Sequence, residues 1–438
     1  MPLLTEKEAK AIIDKVLSYA KADETSISLT GGRTGNIRYA RNTVTTSGER
    51  DNLSLTVTTV FGKRSGSATV NEFTDTALEQ AVRKAEEIAR LAPENAEYMP
   101  LLGPQTFLTS QTFSANTAAI TPQFRAVAAY DSIAPALAQK LVAAGYLEDN
   151  TGFNAIGNSK GLFGYNSETG IDFSITIRTA DGKGSGFAQQ TVTDAARLDA
   201  KTATAKAVKK AVAAAKAIEM PPGQYTVILE PIAAESFLGF FSSALDARSA
   251  AEGRSYLSKK GGGTRLGEAM FDPQLTIYSD PYHAEAPSAP FSNDGRPLEK
   301  VTWVKDGAVQ NLSYSRFWAE KQGVKAVPPP QGLIIEGGKQ SLEELIRGTD
   351  KGLLVTRTWY MRMVDPQSMV VTGLTRDGVF YIENGVIKHA VKNFRFNESP
   401  LNMFRNLEAM GQPVRVGNNL VPPMKIRNFN FTSLSDAV

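Results

Sequence analysis

Two stretches of this chain follow one plan. Residues 42–90 read NTVTTSGERDNLSLTVTTVFGKRSGSATVNEFTDTALEQAVRKAEEIAR, and residues 157–218 read GNSKGLFGYNSETGIDFSITIRTADGKGSGFAQQTVTDAARLDAKTATAKAVKKAVAAAKAI. Each holds a strand pair, a Gly/Lys/Ser-rich turn, a further strand, a Thr/Asp cap and a long Ala-rich helix. The offset is steady: Gly66 and Gly186 lie 120 positions apart, Asp75 and Asp194 lie 119 apart. Such a repeat reads as an internal duplication inside one α+β domain.

The remaining N-terminal pattern fits that frame. Thr5 and Glu8 have the form of a capping box, and Ala9, Ile12, Ile13, Val16, Leu17 and Ala20 recur at helical spacing. Between Ser26 and Val70 the runs SISLT, NIRYAR, NTVTTSG, LSLTVTTVFG and SGSATV predict short antiparallel strands joined by tight turns. Thr74 and Asp75 cap a second helix, 92–123 read as a surface crossing, and a third helix is predicted around 124–144.

At 438 residues the chain exceeds one ordinary core. Pro221-Pro222-Gly223 marks the boundary, giving an N-terminal α+β domain over 1–220 and a C-terminal β-rich domain of mainly antiparallel strands with flanking helices over 221–438. Asp306-Gly307 and Asn384-Gly385, each flanked by apolar alternation, predict hairpins. A closing helix is predicted from Pro400 to Met410.

Residues 225–257 begin with a strand-like run and continue into a helix that is apolar nearly all round, which predicts a buried helix. A helix following a strand in the second half of a large chain is a natural place for an active site, so its chemistry matters. The chain has no cysteine, which excludes disulfides, thiolate catalysis and Cys-ligated metal. Its two histidines, His283 and His389, are 106 residues apart and form no helical ligand pair. GNSKG around Ser159 has the letters of a nucleophile elbow but leads into a strand-like run rather than a helix. Ser255, Ser258, Lys259 and Lys260 crowd one loop, leaving a serine–lysine arrangement open by spacing. No spacing rule singles out a carboxylate pair among Glu336, Asp365 and Glu398.

The other function classes recede. No phosphate-binding loop is present. A net charge of +3 with no basic stripe gives no case for nucleic acid, and the lysines from Lys201 to Lys216 read as a solvated helix face. No stretch approaches 18 uninterrupted apolar residues, and the N-terminus has no leader pattern, so a soluble cytoplasmic protein without a membrane span is expected.

The landmarks VILEP, AEGRSYLSKKGGGTRLGE, LTIYSDP, APFSNDGRP, VKDGAVQNLSYSRFWAEKQG, GLLVT and YIENGVIKHAVKNFRFNESPLNMFRNLEAMG, together with the duplicated N-terminal domain, resemble the TldD/PmbA family, once called modulators of DNA gyrase. That resemblance implies a metallopeptidase-like C-terminal domain and two arms. The TldD arm holds a metal with an H-E-x-x-x-H helix and a later cysteine. The TldE/PmbA arm lacks the motif and is a non-catalytic partner in a heterodimer. Here the matching helix reads Leu238-Gly239-Phe240-Phe241-Ser242-Ser243-Ala244, with no histidine, and Glu235 is not followed by His four residues on. The resemblance therefore implies no catalytic residue, metal or other cofactor in this chain. It implies a TldD-like metallopeptidase subunit or a second copy as partner, and a peptide substrate. Arg254 and Tyr256 are the candidates to face a peptide chamber. A homodimeric peptidase using Ser255 and Lys259, and a non-enzymatic peptide-binding scaffold, are the rival readings.

Overall fold

The computed structural model describes residues 3–435. In the N-terminal half α1 (Glu6–Tyr19) leads into β1 (Glu24–Ala40), β2 (Thr43–Phe61), β3 (Arg64–Val70) and α2 (Asp75–Leu91). A long crossing with one helical turn, α3 (Ala115–Ala118), joins this unit to the next. There α4 (Pro122–Ala138) leads into β4 (Leu141–Asn158), β5 (Phe163–Thr179), β6 (Ser185–Val192) and α5 (Ala200–Ala214). The six strands form one antiparallel sheet in the order β3-β2-β1-β4-β5-β6. The first strands of the two units pair at the centre, and each unit runs outward from there.

Strand alternation puts the helices on one face. Ile27 and Leu29 of β1 pack with α1 and α2, whereas Ile37 and Tyr39 of the same strand pack with α4 and α5. The glycines at matching repeat positions carry this packing. A Cβ on Gly66 would lie 2.3 Å from the Ala89 nitrogen of α2, and one on Gly186 would lie 2.2 Å from the Ala207 carbonyl oxygen of α5. Both glycines let a helix backbone rest directly on a strand.

Two N-terminal expectations are corrected. The runs between Ser26 and Val70 are not separate short strands, because β1 and β2 pair from Glu24–Val60 to Ala40–Thr43 with a single register shift between Arg38 and Tyr39. Gly31, Gly32 and Gly35 lie inside β1 because side chains and backbone approach closely there, not because the chain turns. The third helix ends at Ala138, and β4 begins at Leu141.

The C-terminal half holds β7 (Gly223–Leu229), α6 (Pro231–Ser243), α7 (Ala247–Ala251), β8 (Ile277–Ser279), β9 (Val301–Lys305), β10 (Ala308–Val309), α8 (Arg316–Gln322), β11 (Ile334–Ile335) and α9 (Leu342–Arg347). It continues through β12 (Lys351–Asp365), β13 (Val370–Glu383), β14 (Val386–Val391), β15 (Phe394–Glu398), α10 (Pro400–Arg405), β16 (Leu407–Met410), β17 (Val414–Val416), β18 (Asn419–Val421) and β19 (Met424–Leu434). One sheet runs β12-β7-β19-β15-β13-β14, and a further β12–β13 pairing closes five of its strands into a ring. The other runs β10-β9-β8-β11-β18-β17. Most pairings are antiparallel, and β7–β12 and β11–β18 are parallel. The whole is an α+β fold.

Both predicted hairpins form, with positive φ at Asp306, Gly307, Asn384 and Gly385, as two-residue turns of this type require. The closing helix stops at Arg405, since Leu407–Met410 pairs with β19 as a strand. Among the described residues no helix is long and apolar enough to cross a membrane.

Candidate functional site around helix α6

Strand β7 enters α6 through Glu230, whose carboxylate pairs with Lys210 of α5 at 2.7 Å. Pro231 then occupies the first turn, where its missing N–H leaves no donor unsatisfied. The buried face comprises Ala233, Ala234, Phe237, Leu238 and Phe241. Phe237 packs on Phe396 and Phe429, and Phe241 on Phe404 and Phe271, with ring centroids between 5.3 and 5.9 Å apart.

The helix is not buried all round. Gly239 and Ser243 are exposed and Phe240 and Ser242 are half-buried, whereas Leu238 and Ala244 belong to the core with Phe241. Small and hydroxyl side chains leave one flank open that the apolar count had assigned to the interior. Ser236 and Ser243 donate to the carbonyls of Ile232 and Phe240 within the helix.

Glu235 is the one ionisable side chain of α6 itself. Its Oε1 accepts from Asn419 Nδ2 at 3.0 Å, and burial pushes its carboxyl above the usual range while this bond opposes the rise. Asn419 follows strand β17 and its turn, which also reach the N-terminal domain: Arg415 Nη1 donates to Thr193 Oγ1, just past β6, at 2.5 Å, and the Gly417 N–H donates to Thr191 Oγ1 at 3.1 Å. The segment 415–419 thus ties the open flank of α6 to β6. Sequence reading missed this link because its members lie more than 180 residues apart.

Other sequence candidates stay apart. Arg254 is exposed and pairs with Glu252 at 2.6 Å. Tyr256 is half-buried, accepts a hydrogen bond from Arg405, and has the Arg265 guanidinium 5.1 Å from its ring centre. Ser255 donates to the Ala244 carbonyl at 3.2 Å, whereas Lys259 pairs with Glu268 at 3.1 Å, so the two are engaged elsewhere. Ser159 accepts from the Thr25 N–H in the β4–β5 turn. His283 accepts from the Glu285 N–H, and His389 stacks on Tyr381 at 5.3 Å. Glu336 is exposed, Asp365 caps its own turn through Ser368, and Glu398 is buried, accepting the N–H groups of Ser399 and Asn430.

A catalytic zinc takes three protein ligands drawn from His, carboxylate and Cys. The α6 flank offers one carboxylate, and among the described residues no group of three such side chains converges. These donors do not fit the metal.

Three models of one family match the chain: PmbA/TldA metallopeptidase domain 1 over residues 25–89, the central domain over 123–215 and the C-terminal domain over 222–433. Metalloprotease PmbA of Escherichia coli O157:H7 is 27% identical over 173 residues, 37% of each chain. A metalloprotease of Archaeoglobus fulgidus is 32% identical over 207 residues, 44% of this chain and 46% of that one. The matched stretch therefore spans less than half the length of either relative. In solved structures the same fold recurs at 18% identity. A Thermotoga maritima chain described as a modulator of a DNA gyrase superposes with a TM-score of 0.87, covering 97% of this chain and 100% of that one. TldE from Thermococcus kodakarensis gives 0.86, with 97% and 99% covered. The chain belongs to the PmbA/TldD metallopeptidase family.

Proposed function

We propose that this chain is the TldE/PmbA-like, non-catalytic subunit of a TldD/TldE-type metalloprotease complex that acts on unfolded or modified peptides. One observation carries the reading: the open flank of α6 presents Gly239, Phe240 and Ser243, with Glu235 engaged by Asn419, where a metallopeptidase needs a ligand set. A TldD-like subunit supplies the metal and the cleavage. This chain contributes wall and peptide contacts, with Arg254 and Tyr256 beside the α6 region as the residues facing the peptide. The division at residue 220 then separates a scaffold domain from a degenerate metallopeptidase-like domain. The rival use of Ser255 with Lys259 gains nothing from the geometry, because each is bonded to a different partner.

The test is elemental analysis of the purified chain beside a peptidase assay on an unstructured peptide, with and without chelator and with and without a TldD-type subunit. The expected result is no stoichiometric metal and no cleavage by the chain alone, with chelator-sensitive cleavage once the partner is added. One metal per chain with chelator-sensitive cleavage by the chain alone sinks the proposal.

A further inference from the structure

Strands β12 and β13 set two arginines against each other. Arg357 and Arg376 are direct partners in the antiparallel ladder, so both side chains leave the same face of the hairpin. Like charges placed directly opposite destabilise a strand pair. Neither side chain escapes into water, since they are only 21% and 20% exposed. Stacking holds them down: the Arg357 guanidinium lies 4.0 Å from the centre of the Phe187 ring of β6, and that of Arg376 lies 4.1 Å from the centre of the Trp359 ring. One carboxylate serves both. Asp377 Oδ2 is 2.5 Å from Arg357 Nε and 4.0 Å from Arg376 Nε, and the other oxygen of Asp377 accepts from Ser185 of β6. Both Nε atoms are shut off from solvent without an aligned hydrogen bond, and among the described residues no further acceptor meets either guanidinium. Burial lowers the pKa of Arg357, Asp377 opposes the fall, and the charges of Arg376 and of Arg178 on β5 add to it. Positive charge is in excess here.

The backbone around the pair is irregular. Strand β12 slips register against β13 between Val355 and Arg357 and again between Trp359 and Arg362, and such bulges re-aim side chains beside functional sites. Tyr360 has a φ of 55°, a conformation that bulky side chains rarely adopt. Trp359 and Tyr360 are left 43% and 59% exposed, with ring centres 5.6 Å apart, next to the arginine pair.

We infer that Arg357 and Arg376 bind the phosphate group of a small phosphate monoester. A carboxylate has two oxygens and fills one guanidinium fork, whereas a phosphate monoester carries three terminal oxygens and can accept from both forks. Its negative charge turns the repulsion across the ladder into a bridge. The exposed part of Trp359 offers a stacking face to a planar group on the same ligand, as a nucleobase is. Inorganic phosphate carries the same oxyanion chemistry without the ring. The inference does not rest on the subunit role proposed above.

The test is titration calorimetry of the full-length protein with inorganic phosphate, adenosine 5′-monophosphate and acetate, at an ionic strength fixed with chloride so that screening is equal in each. Saturable binding of phosphate is expected, with acetate bound roughly tenfold more weakly, the worth of one charge-assisted hydrogen bond. Tighter binding of the nucleotide than of phosphate identifies a ligand with a stacking ring; binding no tighter identifies the free anion. Either result supports the site. Arg376→Gln removes one fork and should weaken phosphate binding by roughly tenfold or more. Arg376→Lys keeps the charge across the ladder but loses the planar fork, and it should weaken binding as well while its circular dichroism spectrum matches the parent's. Absence of saturable binding of both phosphate and the nucleotide overturns the inference. So does acetate bound as tightly as phosphate, or a folded Arg376 variant that keeps the parent's affinity.

Discussion

An alanine at position 35 has nowhere to put its methyl group. An ideal Cβ there lies 1.8 Å from Arg125 Nη2, and Arg125 is 1% exposed, bound to Asp149 at 2.5 Å and to Glu49 at 2.8 Å. Gly35→Ala is expected to push the guanidinium off its carboxylates and to cost about 3 kcal/mol, the usual scale for breaking a buried ion pair, read as a lower midpoint in urea. From sequence Gly35 is a turn signal, because pattern alone does not separate a glycine needed for conformation from one needed for close approach. Glu235 makes a second residue-scale case. Its folded pKa is raised by burial, so the stability its protonated form provides is present below the unfolded value and lost as pH rises through the folded one. Glu235→Gln keeps an oxygen for Asn419 and removes the ionisation. Thermal melts should give the variant a higher Tm than the parent at pH 8 and no difference near pH 4. The absence of His and Cys donors at this helix could be read directly from the residues. The Asn419 and Arg415 contacts could not, since only the folded chain brings them to α6.

At the scale of elements the duplication is the most legible part of the molecule, and Gly66 and Gly186 explain why. Each marks the point where a helix meets its strand, and the same device fixed in both units preserves the spacing that reveals the repeat. Gly66→Ala and Gly186→Ala should each cost about 2 kcal/mol as overpacking. The sites lie in different helix–strand contacts, so the double variant should lose close to the sum, measurable by chemical denaturation. Element ends were less legible. The units also diverge at their helix starts: Thr74 caps α2, whereas Asp194 caps a 3-10 turn and Asp199 caps α5. Helix α6 misled through its apolar count, because glycine and serine on one flank carry too little polarity to announce an exposed face. The Pro400 helix ended early because Leu407–Met410 had a strand partner beyond the reach of local pattern.

Across the whole molecule the two halves are joined by charge as well as by packing. Asp377 of β13 is fully buried, accepts from Ser185 of β6, and lies 2.5 Å from Arg357 Nε of β12, whose guanidinium stacks 4.0 Å from the centre of the Phe187 ring. Asp377 has a φ of 57°, a conformation asparagine also tolerates. Asp377→Asn therefore keeps the backbone and removes the counter-charge from Arg357. Calorimetry should record a loss of about 3 kcal/mol. Nothing in the local sequence pairs a serine at 185 with an aspartate at 377, so this joint appears only once both halves are folded. Strands β2 and β5, at matching places in the two repeat units, are finished differently. Beyond β6 the edge of β5 is held by the crossing segment, where the Thr169 N–H donates to the Thr112 carbonyl and Thr112 Oγ1 donates to the Ser167 carbonyl at 2.7 Å, whereas among the described residues no strand pairs with the outer side of β2 from Thr43 to Arg50. A strap of this kind takes bare backbone N–H and C=O groups out of reach of a foreign strand, and pairing with foreign strands is the route by which open sheets run on into fibres.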